Sequence, residues 1–172
     1  YKHIATNGNG CMAKDSIMIN VHSLTFSLVQ DTVYICDGDS VQLLGPPSMT
    51  LYSWYDEFSV VGDIQNIYVN PNITTQYNLS VTDSLGASAM DSLIVVVRSI
   101  PIVAIPQNDT TISLGACDSI FGPSGFDIYD WHENGISTYS TQDIEVCPVD
   151  TSQYLLYATN QYGCMGSDSI NV

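Results

Sequence analysis

The sequence predicts an all-β chain of tandem antiparallel β-sandwiches, and three observations support this prediction. One stretch occurs three times, at Tyr1–Val21, Tyr77–Val97 and Tyr154–Val172, and its starts are spaced by 76 and 77 residues. Each copy has an alternating run led by Tyr, a polar turn with Gly, and Asp-Ser before a second apolar run, which is the pattern of a β-hairpin. A period this regular indicates a repeat array, and the sequence between the copies shows no helical period.

The repeat spacing divides the chain into three parts. Residues 1–21 are predicted to be the closing hairpin of a preceding repeat, and residues 22–97 and 98–172 are predicted to be two complete repeats. A two-stranded hairpin is only marginally stable alone in water, so residues 1–21 are expected to need further strands. Because the chain begins inside a repeat, we expect it to be a segment of a longer protein.

Each complete repeat is predicted to contain about seven short strands in the same order. In the first repeat they are a split first strand (Leu24–Val29 and Thr32–Cys36), Ser40–Leu44, Leu51–Tyr55, Phe58–Val61, Ile64–Val69 and the closing hairpin. In the second they are Ile100–Ile105 and Thr110–Leu114, then Asp118–Ile120, Ile128–Trp131, Asp143–Val146 and the closing hairpin.

Four aromatic residues are predicted to form the cores of the two repeats. Trp54 and Trp131 occupy the same position of the third strand, and Tyr77 and Tyr154 open the closing hairpins. Their matched positions favour packing inside the sandwich, whereas aromatic residues of a binding site would be exposed.

The charge of the chain limits its partners. Against 18 acidic residues there are only three basic ones (Lys2, Lys14 and Arg98), which gives a formal net charge of −15. Nucleic acid and anionic membrane surfaces both need Lys and Arg to meet their phosphates, so neither is an expected partner. No window is apolar enough for a membrane span, so the chain is not expected to be embedded in a membrane.

The polar side chains offer little support for catalysis. His3, His22 and His132 lack metal-ligand spacing and no CxxC occurs, so no zinc site is predicted. No nucleophile-elbow motif is present, and the paired carboxylates Asp37/Asp39 and Asp56/Glu57 fall in predicted turns. Asp37 and Asp39 could contribute to a calcium site, but no loop has EF-hand spacing. The chain is therefore predicted not to be an enzyme, with calcium as the one cofactor left open.

A set of short motifs resembles a known family. The motifs are Cys36-Asp37-Gly38-Asp39-Ser40-Val41-Gln42-Leu43, Tyr52-Ser53-Trp54, Asn70-Pro71 with Thr74-Thr75-Gln76-Tyr77, and an Asp-Ser-apolar final strand. Together they resemble the immunoglobulin-like, PKD-type tandem repeats of very large surface proteins that Bacteroidota export by type IX secretion, gliding-type adhesins among them. The resemblance covers essentially the whole chain and implies tandem modules of a secreted fibre, adhesin or filament, without catalytic residues. One closing hairpin departs from the usual Gly-Cys, since Gly86-Ala87 stands where the others have Gly10-Cys11 and Gly163-Cys164.

The five cysteines suggest an oxidising, extracellular setting. Cys117 and Cys147 should lie at the same end of the second repeat and are predicted to form a disulfide. In the first repeat Asn70 replaces the equivalent of Cys147, so Cys36 lacks that local partner. Modules strung end to end would bring Cys36 towards Cys164 as an inter-module staple and would send Cys11 to a partner before this segment. The alternative is that these cysteines are free thiols.

A further pattern, Asp followed by Ser or Thr and usually an apolar residue, recurs along the chain. It has two interpretations: a polar pair that opens a strand, or the acceptor motif for O-glycosylation that it resembles in secreted Bacteroidota proteins. The candidate acceptors are Ser16, Thr32, Ser40, Ser84, Ser92, Thr110, Ser119 and Ser169.

Taken together, the sequence predicts a non-enzymatic structural segment of a large secreted adhesin or extracellular filament at the cell surface. Its expected role is that of a stiff stalk and self-association module. Its expected partners are neighbouring repeats of the same chain and further copies in a homo-oligomer or filament. The alternative is a module that binds a cell-surface glycan or another surface through loop aromatics. The residues considered for that role are Tyr55, Phe58, Tyr139 and Tyr162.

Overall fold

The computed structural model describes all residues from Tyr1 to Val172, and its regular secondary structure is entirely β. The strands are β1 (Lys2–Thr6), β2 (Met12–Ser16), β3 (Thr32–Cys36), β4 (Val41–Leu44), β5 (Leu51–Tyr55), β6 (Val60–Gly62), β7 (Asn66–Val69), β8 (Thr75–Thr82), β9 (Ser88–Arg98), β10 (Asp118–Ile120), β11 (Ile128–Glu133), β12 (Ile136–Tyr139), β13 (Ile144–Val146), β14 (Gln153–Thr159) and β15 (Met165–Asn171).

The strands of each predicted repeat form one larger and one smaller sheet. In the first repeat the larger sheet has the order β3-β9-β8-β5-β6 and the smaller one pairs β4 with β7. In the second repeat the corresponding sheets are β12-β11-β14-β15 and β10-β13. The remaining strands, β1 and β2, form a separate two-stranded sheet.

The core of the second repeat lies between its two sheets. Trp131 and Leu156 from the larger sheet, Ile120 and Val146 from the smaller one, and Ile105 from the segment before them belong to one buried cluster. Trp131 is completely buried, and its indole Nε1–H donates to the carbonyl oxygen of Thr141 at 3.0 Å. Two sheets closed over a buried tryptophan of the third strand make an immunoglobulin-like sandwich.

The chain forms two compact units, and their limits differ from the predicted repeat boundaries. The first unit comprises Tyr1–Asp31, Leu44–Ile67 and Tyr77–Leu93, and the second comprises Thr32–Leu43, Tyr68–Gln76 and Ile94–Val172. The second unit thus contains part of the first sequence repeat together with all of the second. The boundaries at residues 21/22 and 97/98 remain predictions.

Within the first unit, the third strand again places a tryptophan in the interior. Trp54 is completely buried, and its Nε1–H donates to the carbonyl oxygen of Gln65 at 3.2 Å. Tyr77 and Leu79 on β8 are also buried, at 4% and 0% exposure. Tyr154, the counterpart of Tyr77, is buried in the second unit. All four predicted core aromatics therefore lie in the interior.

The hairpin of β1 and β2 is regular in its backbone but fully exposed. The two strands pair antiparallel from Lys2↔Ser16 to Thr6↔Met12, and every residue of the two strands is exposed. Ile17 and Ile19 correspond to the core positions Leu93 and Val95 of the first repeat, yet they are 64% and 59% exposed.

Three segments predicted as strands are not strands: Leu24–Val29, Ile100–Ile105 and Thr110–Leu114. In the first two, a carboxylate binds the backbone in place of a neighbouring strand. The backbone N–H of Leu28 donates to Asp91 at 2.7 Å, and the N–H of Ile105 donates to Asp168 at 2.8 Å. Alternation and β-branched residues predict an extended backbone. They do not show whether that backbone is hydrogen-bonded to a neighbouring strand or to a side chain.

The segment Thr110–Leu114 has a different reason for lacking strand structure. Its first residue donates a backbone hydrogen bond to the carbonyl oxygen of Asn171 at 3.0 Å, but β15 ends at that residue. In the first repeat, β3 pairs with β9 over its whole length, from Thr32↔Ile94 to Cys36↔Arg98. This pairing is parallel, whereas β5 pairs antiparallel with β6 and β8 in the same sheet, so the predicted antiparallel sandwich contains this parallel pair as well.

The strand β12 was not predicted from the sequence. Asn134 and Gly135 form the turn between β11 and β12 with φ angles of 50° and 89°. Positive φ at both central residues is the requirement of a type I′ hairpin, which Asn-Gly satisfies at low cost. The short strand that follows is exposed or half-buried throughout and forms the edge of its sheet.

The contact of Asp91 with the backbone of the preceding segment predicts a specific loss of stability. Asp91→Ala removes the acceptor for the N–H groups of Leu28 and Ser92 and should lower the free energy of unfolding by about 2 kcal/mol. Asp15→Ala is the matched control, because Asp15 lies in the same motif but accepts only from the N–H of its neighbour Ser16. Urea denaturation measures both variants, and equal effects would contradict this role of Asp91.

Candidate functional site

The most distinctive chemical feature of the chain is a disulfide between its two sequence repeats. Cys36, at the end of β3, is bonded to Cys164, in the turn between β14 and β15, with 5.6 Å between their Cα atoms. The two cysteines are separated by 128 residues in sequence, and both belong to the second compact unit. We call this disulfide, together with Arg98, Tyr34 and Tyr162, the junction clamp.

The turn that carries Cys164 is built around one asparagine side chain. Asn160 Oδ1 accepts from the N–H groups of Tyr162 and Cys164, at 3.0 and 3.1 Å, and the N–H of Asn160 donates to the carbonyl oxygen of Cys164. Gly163 supplies the positive φ of 83° that closes the turn. These bonds fix the direction of the Cys164 side chain, which is completely buried.

Arg98 provides the second contact of the clamp. Its guanidinium carbon lies 4.2 Å from the ring centroid of Tyr34 and 4.2 Å from that of Tyr162. Its carbonyl oxygen accepts from the N–H of Asp37 at 2.8 Å, directly beside Cys36. In a chain with 18 acidic residues Arg98 forms no salt bridge, and instead it makes cation–π contacts with two rings.

The second disulfide closes a shorter loop inside the second repeat. Cys117 and Cys147 flank the pairing of β10 with β13, and their Cα atoms are 4.2 Å apart. In the first repeat, Asn70 occupies the position of Cys147 and bonds to the carbonyl oxygen of Gly38 and to Ser40 Oγ, at 3.0 and 3.3 Å. An amide thus ties this loop together, and Cys36 is left to bond with Cys164. The structure therefore contains both cysteine pairs that the sequence suggests.

Cys11 is a free, exposed cysteine. Its turn matches that of Cys164, since Asn7 Oδ1 accepts from the N–H groups of Asn9 and Cys11, both at 3.0 Å. A partner for Cys11 outside this segment stays a prediction.

The residues considered for other functions are dispersed. Asp37 and Asp39 are exposed, and Asp39 accepts from the N–H of Cys36 at 3.3 Å. No group of three or more His, Cys, Asp or Glu side chains in the chain is arranged to hold a metal ion. Six candidate glycosylation sites are exposed, whereas Ser92 and Thr110 are half-buried. Whether any of them is modified stays a prediction.

The aromatics considered for glycan binding differ in accessibility. In the first unit Phe58 is 85% exposed and Tyr55 is half-buried. In the second unit Tyr139 packs against the core cluster, and Tyr162 stacks on Arg98. Only Phe58 presents a ring that is largely free of other contacts.

Several carboxylates have lowered pKa values because they accept hydrogen bonds. A hydrogen bond from His22 holds the pKa of Asp83 below its ordinary value, and the N–H of Leu28 does the same for the pKa of Asp91. His22 is the first residue of the first predicted repeat, as Arg98 is of the second. Burial raises the pKa of Tyr154, and its bond to Glu133 adds to this effect.

Comparisons with known proteins identify no family for this chain. No protein-family model matches the chain, and no curated protein matches it. Similar solved structures include fibronectin(III)-like modules of CbhA from Clostridium thermocellum, with 13% identity over 40% of this chain and 88% of theirs and a TM-score of 0.34. The four N-terminal immunoglobulin domains of Dscam1 isoform 9.44 show 14% identity over 95% of this chain and 50% of theirs, with a TM-score of 0.32. An I-band fragment of titin shows 12% identity over 83% of this chain and 62% of its own, with a TM-score of 0.39.

With scores this low, the assignment to immunoglobulin-like sandwiches rests on the strand order and core of this chain. Disulfides and sandwiches of this kind are typical of extracellular domains. The structure contains no helix that is long and apolar enough to cross a membrane.

The two disulfides should differ in their contribution to stability. In the chain-entropy model, the loop closed by Cys36–Cys164 is worth about 5 kcal/mol and the shorter loop of Cys117–Cys147 about 3.6 kcal/mol. The double variant Cys36→Ser/Cys164→Ser should therefore lower the Tm more than Cys117→Ser/Cys147→Ser. Calorimetry measures both, and an equal or reversed order would contradict the larger role of the junction clamp.

Stability should also fall in acid. A group whose pKa is lower in the folded than in the unfolded chain stabilises the fold above its unfolded pKa, about 4 for Asp. That contribution is lost as the pH falls through the folded pKa. We therefore expect the Tm to drop between about pH 4 and pH 2, with a smaller drop in Asp91→Asn. Thermal scans at a series of pH values measure the Tm of both proteins. An equal drop of the Tm in Asp91→Asn and in the unchanged chain would contradict this role of Asp91.

Proposed function

We propose that this chain is a non-enzymatic structural segment of a large secreted adhesin or extracellular filament, where it serves as a stiff stalk. The observation that carries the proposal is the junction clamp. The disulfide joins β3 of one sequence repeat to the closing hairpin turn of the next, and both ends lie in one compact unit. A covalent bond between successive repeats suits a segment that must keep its shape under load.

The clamp resists bending by two kinds of contact. Linked domains that share only a modest interface move relative to each other by default. A covalent bond between repeats removes most of that freedom, and the cation–π contacts of Arg98 with Tyr34 of one repeat and Tyr162 of the other oppose rotation about the bond. Stiffness is the property that a stalk requires.

The resemblance to type IX-exported repeats of the Bacteroidota supports a location outside the cell, at the cell surface. The cysteine usage agrees with this, because disulfides persist in oxidising compartments. The net charge of −15 favours solubility and repulsion between neighbouring modules. Neighbouring repeats of the same chain are then the immediate partners, and O-glycosylation at the exposed Asp-Ser and Asp-Thr sites would add to a protective coat.

Lateral association with further copies is the second part of the proposal. β6 and β12 form edges of the two larger sheets, and β1 and β2 form a hairpin without neighbouring strands. Exposed strand edges present unpaired backbone groups that can pair with another chain. A homo-oligomer or filament held together by such pairing suits this arrangement.

Glycan binding is the second candidate function, and the exposed ring of Phe58 favours it. Phe58 lies in a tight turn in which Asp56 Oδ1 accepts from its N–H and from that of Ser59, both at 2.8 Å. A glycan-array screen separates the candidates: binding that Phe58→Ala abolishes would favour this function over a purely structural one.

Electron microscopy tests the structural proposal. An antibody raised against this chain, used on intact cells that produce the protein, should label thin surface threads or fibres without permeabilisation. The mass per length then gives the number of chains in each fibre. Labelling only after permeabilisation, or of compact particles, would contradict the proposed function.

A further inference from the structure

Asparagine is followed by glycine at three places in the chain, which are Asn7-Gly8, Asn9-Gly10 and Asn134-Gly135. This dipeptide permits a reaction of the chain with itself, because a glycine has no side chain to shield its backbone nitrogen. That nitrogen can attack the carboxamide carbon of the preceding asparagine. The three pairs differ in how the surrounding turn holds the two reacting groups.

The turn at residues 7–11 holds the carboxamide of Asn7 with two backbone N–H groups. Asn7 Oδ1 accepts from the N–H of Asn9 and from that of Cys11, both at 3.0 Å. Negative charge collects on this oxygen when a nucleophile adds to the carboxamide carbon, and the two N–H groups stabilise that charge as an oxyanion hole does. The N–H of Gly8 donates to no group of the protein, so the Gly8 nitrogen is available for the attack.

The other two Asn-Gly pairs lack this combination. The N–H of Gly10 is engaged, since it donates to the carbonyl oxygen of Asn7 at 3.0 Å. Asn134 Oδ1 accepts from the N–H of Gln153 at 3.1 Å, and Asn134 Nδ2 is bound to Ser152 Oγ at 3.4 Å. The carboxamide of Asn134 therefore has one N–H donor instead of two, and the nitrogen that would have to leave is tied to a neighbouring segment.

We propose that Asn7 is a self-modification site, at which the turn promotes the conversion of this asparagine to aspartate or isoaspartate. Gly8 N forms a bond to Asn7 Cγ and passes its proton to water. The bond from Cγ to Nδ2 breaks as Nδ2 takes up a proton and leaves as ammonia. Water then opens the resulting succinimide ring, and its addition at Cγ gives aspartate, whereas addition at the backbone carbonyl carbon gives isoaspartate. The reaction needs only water, and it does not depend on the stalk function.

The first repeat shows that an aspartate fits this turn. Asp83 is the counterpart of Asn7, and Asp83 Oδ1 accepts from the N–H groups of Leu85 and Ala87, at 2.8 and 3.0 Å. The aspartate product can therefore keep the turn, and it adds one negative charge to the chain. Isoaspartate places an extra methylene in the backbone and moves the acceptor away from these N–H groups, so that product would loosen the turn that carries Cys11.

The second repeat contains the same turn without the reactive glycine. Asn160 Oδ1 accepts from the N–H groups of Tyr162 and Cys164, at 3.0 and 3.1 Å, but the next residue is Gln161. The variant Gly8→Gln copies this arrangement and is the matched control. A Cβ at Gly8 would meet no atom within 4 Å, and Gly8 does not have a positive φ, so the variant should fold as the unchanged chain does.

Peptide mapping after prolonged incubation at mildly alkaline pH tests the proposal, because trypsin releases both asparagines of this turn on one peptide, His3–Lys14. Fragmentation then assigns the mass difference between Asp and Asn to one of them. In the folded chain Asn7 should react at least about 10-fold faster than Asn9 and Asn134, and Gly8→Gln should remove the reaction at Asn7. In concentrated urea the turn is lost, so Asn7 and Asn9 should react at similar rates.

Three results would overturn the proposal. Reaction at Asn7 that is no faster than at Asn9 or Asn134 in the folded chain would show that the bonds to Asn7 Oδ1 give no advantage. An unchanged ratio of Asn7 to Asn9 between the folded chain and the chain in urea would place the preference in the local sequence instead of the turn. Reaction at Asn7 that persists in Gly8→Gln would exclude the Gly8 nitrogen as the attacking group.

Discussion

The bond between Cys36 and Cys164 is the constraint on which the rest of this structure depends. In the first repeat Asn70 holds its own loop with hydrogen bonds to Gly38 and Ser40, whereas Cys147 holds the matching loop of the second repeat with a disulfide. The two loops differ at both bridge positions, since Ser40 and Asn70 are hydrogen-bonded where Cys117 and Cys147 form a disulfide, and Cys36, four residues before Ser40, forms the link between repeats. Arg98 adds a cation–π contact with one ring from each repeat, Tyr34 and Tyr162.

This arrangement changes the path that a pulling force takes through the chain. A force applied at the two termini reaches Cys36, crosses the disulfide to Cys164 and leaves through the last strand. The 128-residue separation between the two cysteines, which includes most of both sandwiches, lies outside that path. Many repeats clamped in this way would give a stalk whose cores are shielded from tension while the disulfides carry it.

Much of the fold could be predicted from the sequence, because the repeat period, the alternation and the matched Trp54 and Trp131 all report core positions directly. The cysteine pairing followed from strand order and the Asn70 replacement. The absence of strands at Leu24–Val29 and Ile100–Ile105 could not be predicted. The backbone of each segment is bound by a carboxylate that is distant in sequence, Asp91 for the first and Asp168 for the second. The stacking of Arg98 was missed as well, because no local pattern links it to Tyr34 and Tyr162.

Single-molecule pulling on the full chain tests the force path most directly. Under oxidising conditions only the residues outside the disulfide loop should extend. With reductant the same pull should release roughly 45 nm of additional contour length, at about 3.5 Å per residue. In Cys36→Ser/Cys164→Ser the disulfide Cys117–Cys147 keeps its loop closed, so the gain should be roughly 34 nm. Equal contour lengths for the oxidised and reduced chains would show that the bond between the repeats does not carry the force.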